Sequence, residues 1–200
     1  MQVAMRVANS LCCGIPTQHN HEPRTTDETL KKMDERYDKM NVNEQPNVCY
    51  TLAMHAGVAG KTLTKNAEQE IARQTSGNAN YNERYQQIMG ITAGNARLHF
   101  NAADIPESGI INFRDRNNER LYHTAYIHRD PSGALSLMHN NGMALDRAMI
   151  ANQAPDGAQH GGMVVYPLNQ QRTANLQAFL DSGFSYHFSP ASAINERVGQ

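Results

Sequence analysis

An α+β fold is predicted for this chain by the order of its helical and strand patterns and by the turn residues that join the strands. The first half carries apolar residues at helical spacing, whereas the second half carries five short strand-like segments bounded by turn residues. The length of 200 residues suits a single domain with its own hydrophobic core. We therefore predict N-terminal helices packed on a C-terminal antiparallel sheet.

Four helices are predicted in the first half. The first begins near Asp27, a possible N-cap, and carries apolar residues at spacings of three and four, namely Leu30, Met33, Tyr37 and Met40. The second covers 48–58, begins at or beside Cys49, and is so dense in Ala, Leu and Met that it should be largely buried. Two further helices are expected around residues 66–74 and 80–89.

The strands of the second half are predicted at 108–113, 121–128, 134–138, 162–167 and 184–188. The segments RDRNNE and RDPSG between the first three are rich in residues that favour tight turns, so these strands should form an antiparallel meander. Helical segments near 144–153 and 170–182 separate the last strands.

Composition and charge exclude several classes of function. The formal net charge is −1 and no basic stripe is present, which argues against a nucleic-acid-binding surface. No apolar stretch approaches the length of a transmembrane segment. Cys12 and Cys13 are adjacent and only three cysteines are present, so a disulfide framework is not expected and the protein should work in a reducing compartment.

Residues 1–26 form a polar leader without helical or strand periodicity, and we expect this leader to be disordered. The folded domain is therefore predicted to span residues 27–200. A polar, disordered leader is also typical of bacterial contact-dependent secretion signals, and a secretion chaperone is a possible partner for it.

Cys49 is the candidate nucleophile. A helix N-terminus favours negative charge, so a thiol at the start of a helix should have a lowered pKa and react as a thiolate. The alternative is that a cysteine among Ala, Leu and Met is a small core residue.

His123 is the candidate partner of that thiol. Alternation along its strand places His123 on one face together with Ala125 and Ile127. The following strand ends in the polar run 139–141, and an antiparallel hairpin returns this end to the level of His123. His160, which precedes a later strand in a Gly-rich segment, is a weaker rival because no acid or amide follows it on a paired strand.

The order of these segments resembles that of the papain-like cysteine proteases. A helix-borne Cys49, the strand GIINF and the segment YHTAYIHRDPSG are most similar to the bacterial type III secreted effector branch, the YopT and AvrPphB type, over residues 43–145. The resemblance implies a papain-like fold in which the nucleophile helix packs on the antiparallel sheet.

The resemblance also implies site residues. Cys49 would be the nucleophile and His123 the general base and acid. Where the family has Asp this chain has His139, so the orienting role would pass to Asn140, with Asn141 and His139 itself left open as alternatives. The oxyanion donor would lie four to six residues before the cysteine, which gives Gln45 in preference to Asn43.

A thiol-dependent hydrolase of amide bonds is therefore expected, most simply a cysteine protease that is secreted into a host cell and acts on a host protein. This chemistry requires no metal and no organic cofactor. Glutamine deamidation and acyl transfer use the same residues and remain open. A non-enzymatic binding module with the same α+β shell is the alternative from another class.

Overall fold

The computed structural model describes residues 22–40, 49–75, 83–140, 142–150, 158–160 and 163–199. Its first half contains α1 (Thr26–Tyr37), α2 (Cys49–Ala59), α3 (Lys65–Thr75) and α4 (Glu83–Met89), followed by two 3-10 turns at Ala93–Asn95 and Ala102–Asp104. None of the helices in these ranges combines the length and apolar character needed to cross a membrane.

The second half contains the strands and three further helices. In chain order they are β1 (Gly109–Asp115), β2 (Leu121–Arg129), β3 (Leu135–His139), α5 (Met143–Met149), β4 (Ala158–His160), β5 (Met163–Pro167), α6 (Gln170–Asp181), β6 (Phe184–Pro190) and α7 (Ala191–Val198). The predicted α+β class and the five predicted strands are confirmed. The described residues also include a short strand, β4, and a terminal helix, α7, that the sequence did not predict.

All six strands form one antiparallel sheet in the order β4-β5-β3-β2-β1-β6. The meander β1-β2-β3 is present as predicted, and the last strand returns to pair with the first. Asn112 therefore lies opposite Thr124 on one side and opposite His187 on the other. Residues about 75 positions apart are brought into one row by this closing strand.

Helices cover both faces of the sheet, and each face has its own core. One face, which we call the α2 face, packs Ile110 and Tyr126 against apolar residues of α1, α2, α3, α4 and α7. The other, which we call the α6 face, packs Phe113 and Ile127 against residues of α5 and α6. Since alternate strand residues point to opposite faces, even-numbered β2 residues from Thr124 onward face α2 and odd-numbered ones face α6.

The start of the domain differs from the predicted boundary. Thr25, not Asp27, caps α1, and its capping box pairs it with Glu28. Just before it, the Arg24 guanidinium donates to the carbonyl of Ala59 and the Arg24 carbonyl lies 2.9 Å from Nε2 of His128. Residues 22–26 are thus part of the folded domain, whereas the rest of the predicted leader lies outside the described residues.

Candidate functional site

His123 is buried on β2 and is paired with a second imidazole. Its Nε2 lies 3.1 Å from Nδ1 of His139, which ends the neighbouring strand β3, and the two rings are nearly perpendicular. Both side chains lie on the α6 face, as the alternation of His123 with Ala125 and Ile127 predicted. The hairpin between β2 and β3 therefore brings a polar residue to His123, but that residue is His139.

A carboxylate and a phenol extend this contact. His139 Nε2 lies 3.4 Å from Oδ1 of Asp146 without hydrogen-bond geometry, and the Tyr166 hydroxyl donates to the same Oδ1 at 2.8 Å. Gly142, just before α5, lies so close that a Cβ there would sit 2.9 Å from His123 Nε2. The absence of a side chain at Gly142 thus permits the approach of α5 to the two imidazoles.

Burial determines the charge of this histidine pair. It lowers the pKa of His123 to about 3, with a further contribution from His139, and it lowers the pKa of His139 to about 4. Both rings are therefore neutral at pH 7, and one donates to the other. An imidazole that is deeply buried and bonded in this way is typical of a structural contact.

Cys49 lies on the other side of the sheet. It is the first residue of α2 and is half-buried, and the backbone and hydroxyl of Thr124 hydrogen-bond its thiol group. Thr124 points to the α2 face, whereas the adjacent His123 points to the α6 face. The fold therefore brings Cys49 to Thr124 and directs the predicted partner His123 away from it.

The charge state of Cys49 also differs from the prediction. Burial raises the pKa of the Cys49 thiol above its ordinary value, although hydrogen bonds from Thr124 and from the first backbone amides of α2 act in the opposite direction. The expected effect of the helix N-terminus is present, but it is smaller than the cost of taking a thiolate out of water. The resting group is a thiol.

A row of polar side chains continues from Thr124 across the α2 face. The Thr124 hydroxyl donates to Oδ1 of Asn112 at 3.0 Å, and the Tyr85 hydroxyl of α4 donates to the same oxygen at 2.9 Å. On the far side of Asn112 lies His187 of β6. Neighbouring strands are about 4.8 Å apart, so Thr124 and His187 are separated by roughly 10 Å with Asn112 between them.

Asn95 fixes the tautomer of His187. Oδ1 of Asn95 lies 2.5 Å from Nδ1 of His187 and also accepts the backbone N–H of Thr92, while its Nδ2 donates to the carbonyl of Gly90. Nδ1 of His187 must therefore carry the proton. Burial and the charge of Arg114 lower the pKa of His187 to about 4, so at neutral pH Nε2 is an unprotonated acceptor.

Two buried nitrogens in this row have no hydrogen-bond partner among the described residues. They are Nε2 of His187, a residue 2% exposed, and Nδ2 of Asn112, a residue with no exposed surface. Buried polar groups without a partner are costly and are rare in folded proteins. An acceptor and a donor thus lie on cross-strand neighbours, and Thr124, on the other side of Asn112, hydrogen-bonds Cys49. We refer to Cys49, Thr124, Asn112 and His187 as the cysteine row.

The remaining predicted site residues are distributed as follows. Asn140 is buried beside the histidine pair, and its backbone forms a hydrogen bond with His139. The His123 ring bonds His139, and the orienting role of Asn140 stays a prediction. Gln45, Asn43 and Asn141 lie outside the described residues.

His187 was missed by the sequence interpretation, although a signal for it exists. In FSYHF the histidine alternates with Tyr186 and Phe188, so it is a polar side chain on the opposite face of an apolar strand. What gives it a possible role is the pairing of β6 with β1, which no local pattern specifies. His160, the earlier rival, lies on β4 rather than in a loop.

Within the described ranges, no group of three or more His, Cys, Asp or Glu side chains has the geometry to hold a metal ion. His123 and His139 direct ring nitrogens at each other, and Asp146 meets the far nitrogen of His139, so these groups do not converge on a common point.

Comparison with known proteins yields one relationship. The profile of a protein family described as Domain of unknown function (DUF8038) matches residues 25–198. No curated protein and no solved structure matches the chain significantly.

Proposed function

This chain belongs to the DUF8038 family, and we propose that it is a thiol-dependent hydrolase of amide bonds with Cys49 as the nucleophile and His187 as the proton carrier. The observation that carries the proposal is the cysteine row. A hydroxyl, an amide and an imidazole occupy one register line of the α2 face, the hydroxyl residue hydrogen-bonds the thiol of Cys49, and the amide and the imidazole each carry a buried nitrogen without a partner among the described residues.

Each member of the row has a role in this chemistry. Sγ of Cys49 attacks the carbonyl carbon of the substrate, and a C–S bond forms as the C–N bond breaks. Nδ2 of Asn112 donates to the carbonyl oxygen as it becomes negative. We assign to Nε2 of His187 the transfer of the thiol proton to the leaving nitrogen, a transfer that must cross the roughly 10 Å between Thr124 and His187, and Asn95 holds the tautomer that this step needs.

A second half-reaction restores the enzyme. Water attacks the thioester carbonyl, His187 accepts a proton from that water, and the C–S bond breaks to release a carboxylic acid. The thiolate of Cys49 takes the proton back. Thr124 supports both steps because its backbone N–H, and its hydroxyl once this turns from Asn112, donate to a thiolate at Cys49. Water is the only co-reactant that these steps require.

A papain-like arrangement is part of the proposal. It is supported by a cysteine at the first position of α2 and by the packing of that helix on β2 in the centre of an antiparallel sheet. It departs from the pattern of the secreted effector proteases in the residue that supplies the imidazole, His187 instead of His123. Secretion, a host protein substrate and a chaperone for residues 1–26 remain proposals that rest on the resemblance.

A second candidate function is a non-enzymatic binding module. The observation that favours it is the pKa of Cys49, which burial raises, so that the resting thiol is not activated. In this alternative the cysteine row is a buried polar contact of the core, and Cys49 and His187 are independent of each other.

Alkylation of Cys49 separates these two functions. We would measure the rate of labelling by iodoacetamide as a function of pH in a Cys12→Ser, Cys13→Ser background, with and without His187→Gln. Gln retains an amide that can bond Asn95 but cannot carry a proton. His123→Gln is the matched control, because it changes a buried imidazole on the opposite face of the same sheet.

A hydrolase of the proposed kind predicts that His187→Gln slows labelling near neutral pH at least several-fold, whereas His123→Gln does not. Labelling rates that are the same in the parent and in His187→Gln would contradict the proposal and favour the binding module. If only His123→Gln slowed the labelling of Cys49, the proton carrier would be His123, the residue predicted from the sequence.

A further inference from the structure

We propose that Ser108 and His128 form a second nucleophilic centre, of the serine esterase type, which is separate from the cysteine row. The hydroxyl of Ser108, the imidazole of His128 and the backbone carbonyl of Arg24 contact one another in the order of nucleophile, base and acceptor that nucleophilic catalysis by serine requires. Cys49 begins α2, whereas this centre lies beside a groove at the other end of that helix.

The groove lies where the end of α2, the start of α3, the residue before β1 and the start of α7 meet. It has a volume of roughly 1160 Å³, and its lining includes Val58, Thr62, Ser108 and Ser192. Ligand pockets have volumes of about 300 to 1,000 Å³, so the groove has room for a small-molecule substrate. Ser108 is 3% exposed and lies in the wall of the groove, so a substrate would approach it from there.

A carbonyl fixes the tautomer of His128. The residue has no exposed surface, and its Nε2 lies 2.9 Å from the backbone oxygen of Arg24. A carbonyl oxygen only accepts hydrogen bonds, so Nε2 carries the proton and Nδ1 is an unprotonated acceptor. Burial lowers the pKa of His128, and the ring is therefore neutral at pH 7. Nδ1 is a base for any hydroxyl that faces it.

Two hydroxyls face Nδ1 of His128. Oγ of Ser108 lies 3.3 Å from it, and the Tyr126 hydroxyl lies 3.0 Å from it. The Tyr126 hydroxyl also lies 2.8 Å from Oγ1 of Thr62. Because Thr62 donates its own hydrogen to the carbonyl of Gly57, its Oγ1 has lone pairs to accept the hydrogen of Tyr126. With Tyr126 bonded to Thr62, Nδ1 is available to Ser108.

Backbone groups of Arg129 hold the Ser108 hydroxyl. The N–H of Arg129 donates to Oγ at 2.9 Å, and the hydroxyl donates to the carbonyl of Arg129 at 3.2 Å. Rotation about the Cβ–Oγ bond turns the hydrogen from that carbonyl to Nδ1 of His128 without moving Oγ. Once the proton has left, the Arg129 N–H still donates to the negative oxygen and stabilises it.

The reaction that these groups support is the hydrolysis of an ester. Oγ of Ser108 attacks the carbonyl carbon as its proton passes to Nδ1 of His128, and a C–O bond to the serine forms. The bond to the leaving alcohol breaks, and His128 returns the proton to that alcohol. Water then attacks the acyl-serine through the same base, and a carboxylic acid is released. The Arg24 carbonyl stabilises the imidazolium that forms in each step, because it accepts from Nε2.

A fluorophosphonate probe, which bonds covalently to activated serine hydroxyls, tests this centre. The full chain would be treated with the probe, and the labelled residue would be located by mass spectrometry of its peptides. Ser108→Ala removes the nucleophile and His128→Gln removes the base, with thermal melting as the check on folding. Ser192→Ala is the matched control, because Ser192 also lines the groove but its hydroxyl bonds the Glu107 carboxylate.

We expect the probe to label Ser108 in the folded chain, and we expect no labelling in urea or in Ser108→Ala. The rate should fall about a hundredfold in His128→Gln, as for the loss of a general base. It should be unchanged in Ser192→Ala and in His55→Gln, which alters another buried imidazole. A folded parent that is not labelled at Ser108 would overturn the inference, and so would labelling that survives His128→Gln.

Ester turnover distinguishes this centre from the cysteine row. A Cys12→Ser, Cys13→Ser, Cys49→Ala variant should hydrolyse p-nitrophenyl acetate, and adding Ser108→Ala should abolish that activity. Turnover that disappears with Cys49→Ala would assign it to the thiol and contradict the inference.

The ¹⁵N spectrum of the His128 ring in the parent is a check that requires no variant. At pH 7 it should show a protonated Nε2 and an unprotonated Nδ1. A protonated Nδ1 would remove the base that faces Ser108 and would overturn the inference.

Discussion

Nε2 of His123 and Nδ1 of His139 lie 3.1 Å apart at the ends of neighbouring strands, on the face of the sheet opposite Cys49. The contact joins the residue predicted as the general base to His139, one of the three residues left open for the orienting role. Because both rings are buried and neutral at pH 7, the pair is positioned as a structural element of the α6 face. The histidine pair should affect the free energy of unfolding independently of the cysteine row.

Acid should destabilise the fold through this pair. Their folded pKa values, about 3 and about 4, lie below the ordinary value of about 6.5 for an unfolded chain. The unfolded chain therefore binds protons first as the pH falls. The free energy of unfolding keeps this contribution above pH 6.5 and loses it progressively toward pH 4, by up to about 1.4 kcal/mol per pH unit for each group.

Urea denaturation between pH 7.5 and 4 would measure this loss. His55 and His187, whose pKa values are also lowered to about 4, add to the total slope, so the comparison must be made against a variant. His139→Gln should be less stable at pH 7 and should lose less stability on acidification. If the free energy of unfolding of His139→Gln fell with decreasing pH as steeply as that of the parent, the pair would not resist protonation.

Gly142→Ala should destabilise the protein by about 1 to 3 kcal/mol, because the added Cβ would lie 2.9 Å from His123 Nε2 and 3.0 Å from His139 Nδ1. The matched control is Gly94→Ala, where a Cβ would meet no atom within 4 Å and where little change is expected. Thermal melting of the two variants is the measurement. Equal melting temperatures would mean that α5 moves away at no cost.

Thr124→Val should make Cys49 harder to ionise. The hydroxyl of Thr124 can turn its hydrogen from Asn112 to a thiolate at Cys49, and valine keeps the shape but removes that hydrogen bond. The apparent pKa from pH-dependent alkylation should lie above about 8.5 in the parent and higher still in the variant. Thr62→Val, which removes another partly buried hydroxyl from the α2 face, should leave it unchanged. A parent value well below 8.5 would contradict the burial of the thiol.

Asn95→Ala should allow the His187 ring to adopt either neutral tautomer. In the parent, Asn95 holds the proton on Nδ1, so the ¹⁵N spectrum of the ring should show a protonated Nδ1 and an unprotonated Nε2 at pH 7. The variant should show a mixture of tautomers and a lower labelling rate at Cys49. Asn101→Ala, which removes the cap of the second 3-10 turn, is the control and should change neither. A protonated Nε2 in the parent would remove the proton acceptor that the hydrolase proposal assigns to His187.

Much of the fold could be predicted locally. The apolar spacing in α1, the dense apolar run of α2 and the turn segments between β1, β2 and β3 each act over a few residues, so their positions follow from the sequence. The N-cap of α1 was misplaced by two residues because Thr25 and Asp27 are both good caps. The capping box to Glu28 is what decides between them.

The candidate site could be predicted only in part. Alternation correctly gave the face of His123, and the apolar run correctly gave the start of α2 at Cys49. What alternation cannot give is the face on which a distant helix packs. With α2 on the even-numbered side of β2, the neighbour of Cys49 is Thr124, one residue from the predicted His123.

The sequence by itself determined the α+β class, the helix that begins at Cys49, the β1-β2-β3 meander and the side of β2 on which His123 lies, because these depend on local periodicity and turn chemistry. Only the tertiary structure decided that β6 closes against β1 and that α2 covers the face of Thr124. Those two packings place Asn112 and His187 in one row with Thr124, the residue that hydrogen-bonds Cys49. The physical reason is that strand pairing and sheet coverage depend on the apolar surface buried by the whole chain. The local pattern of a short segment does not specify that total.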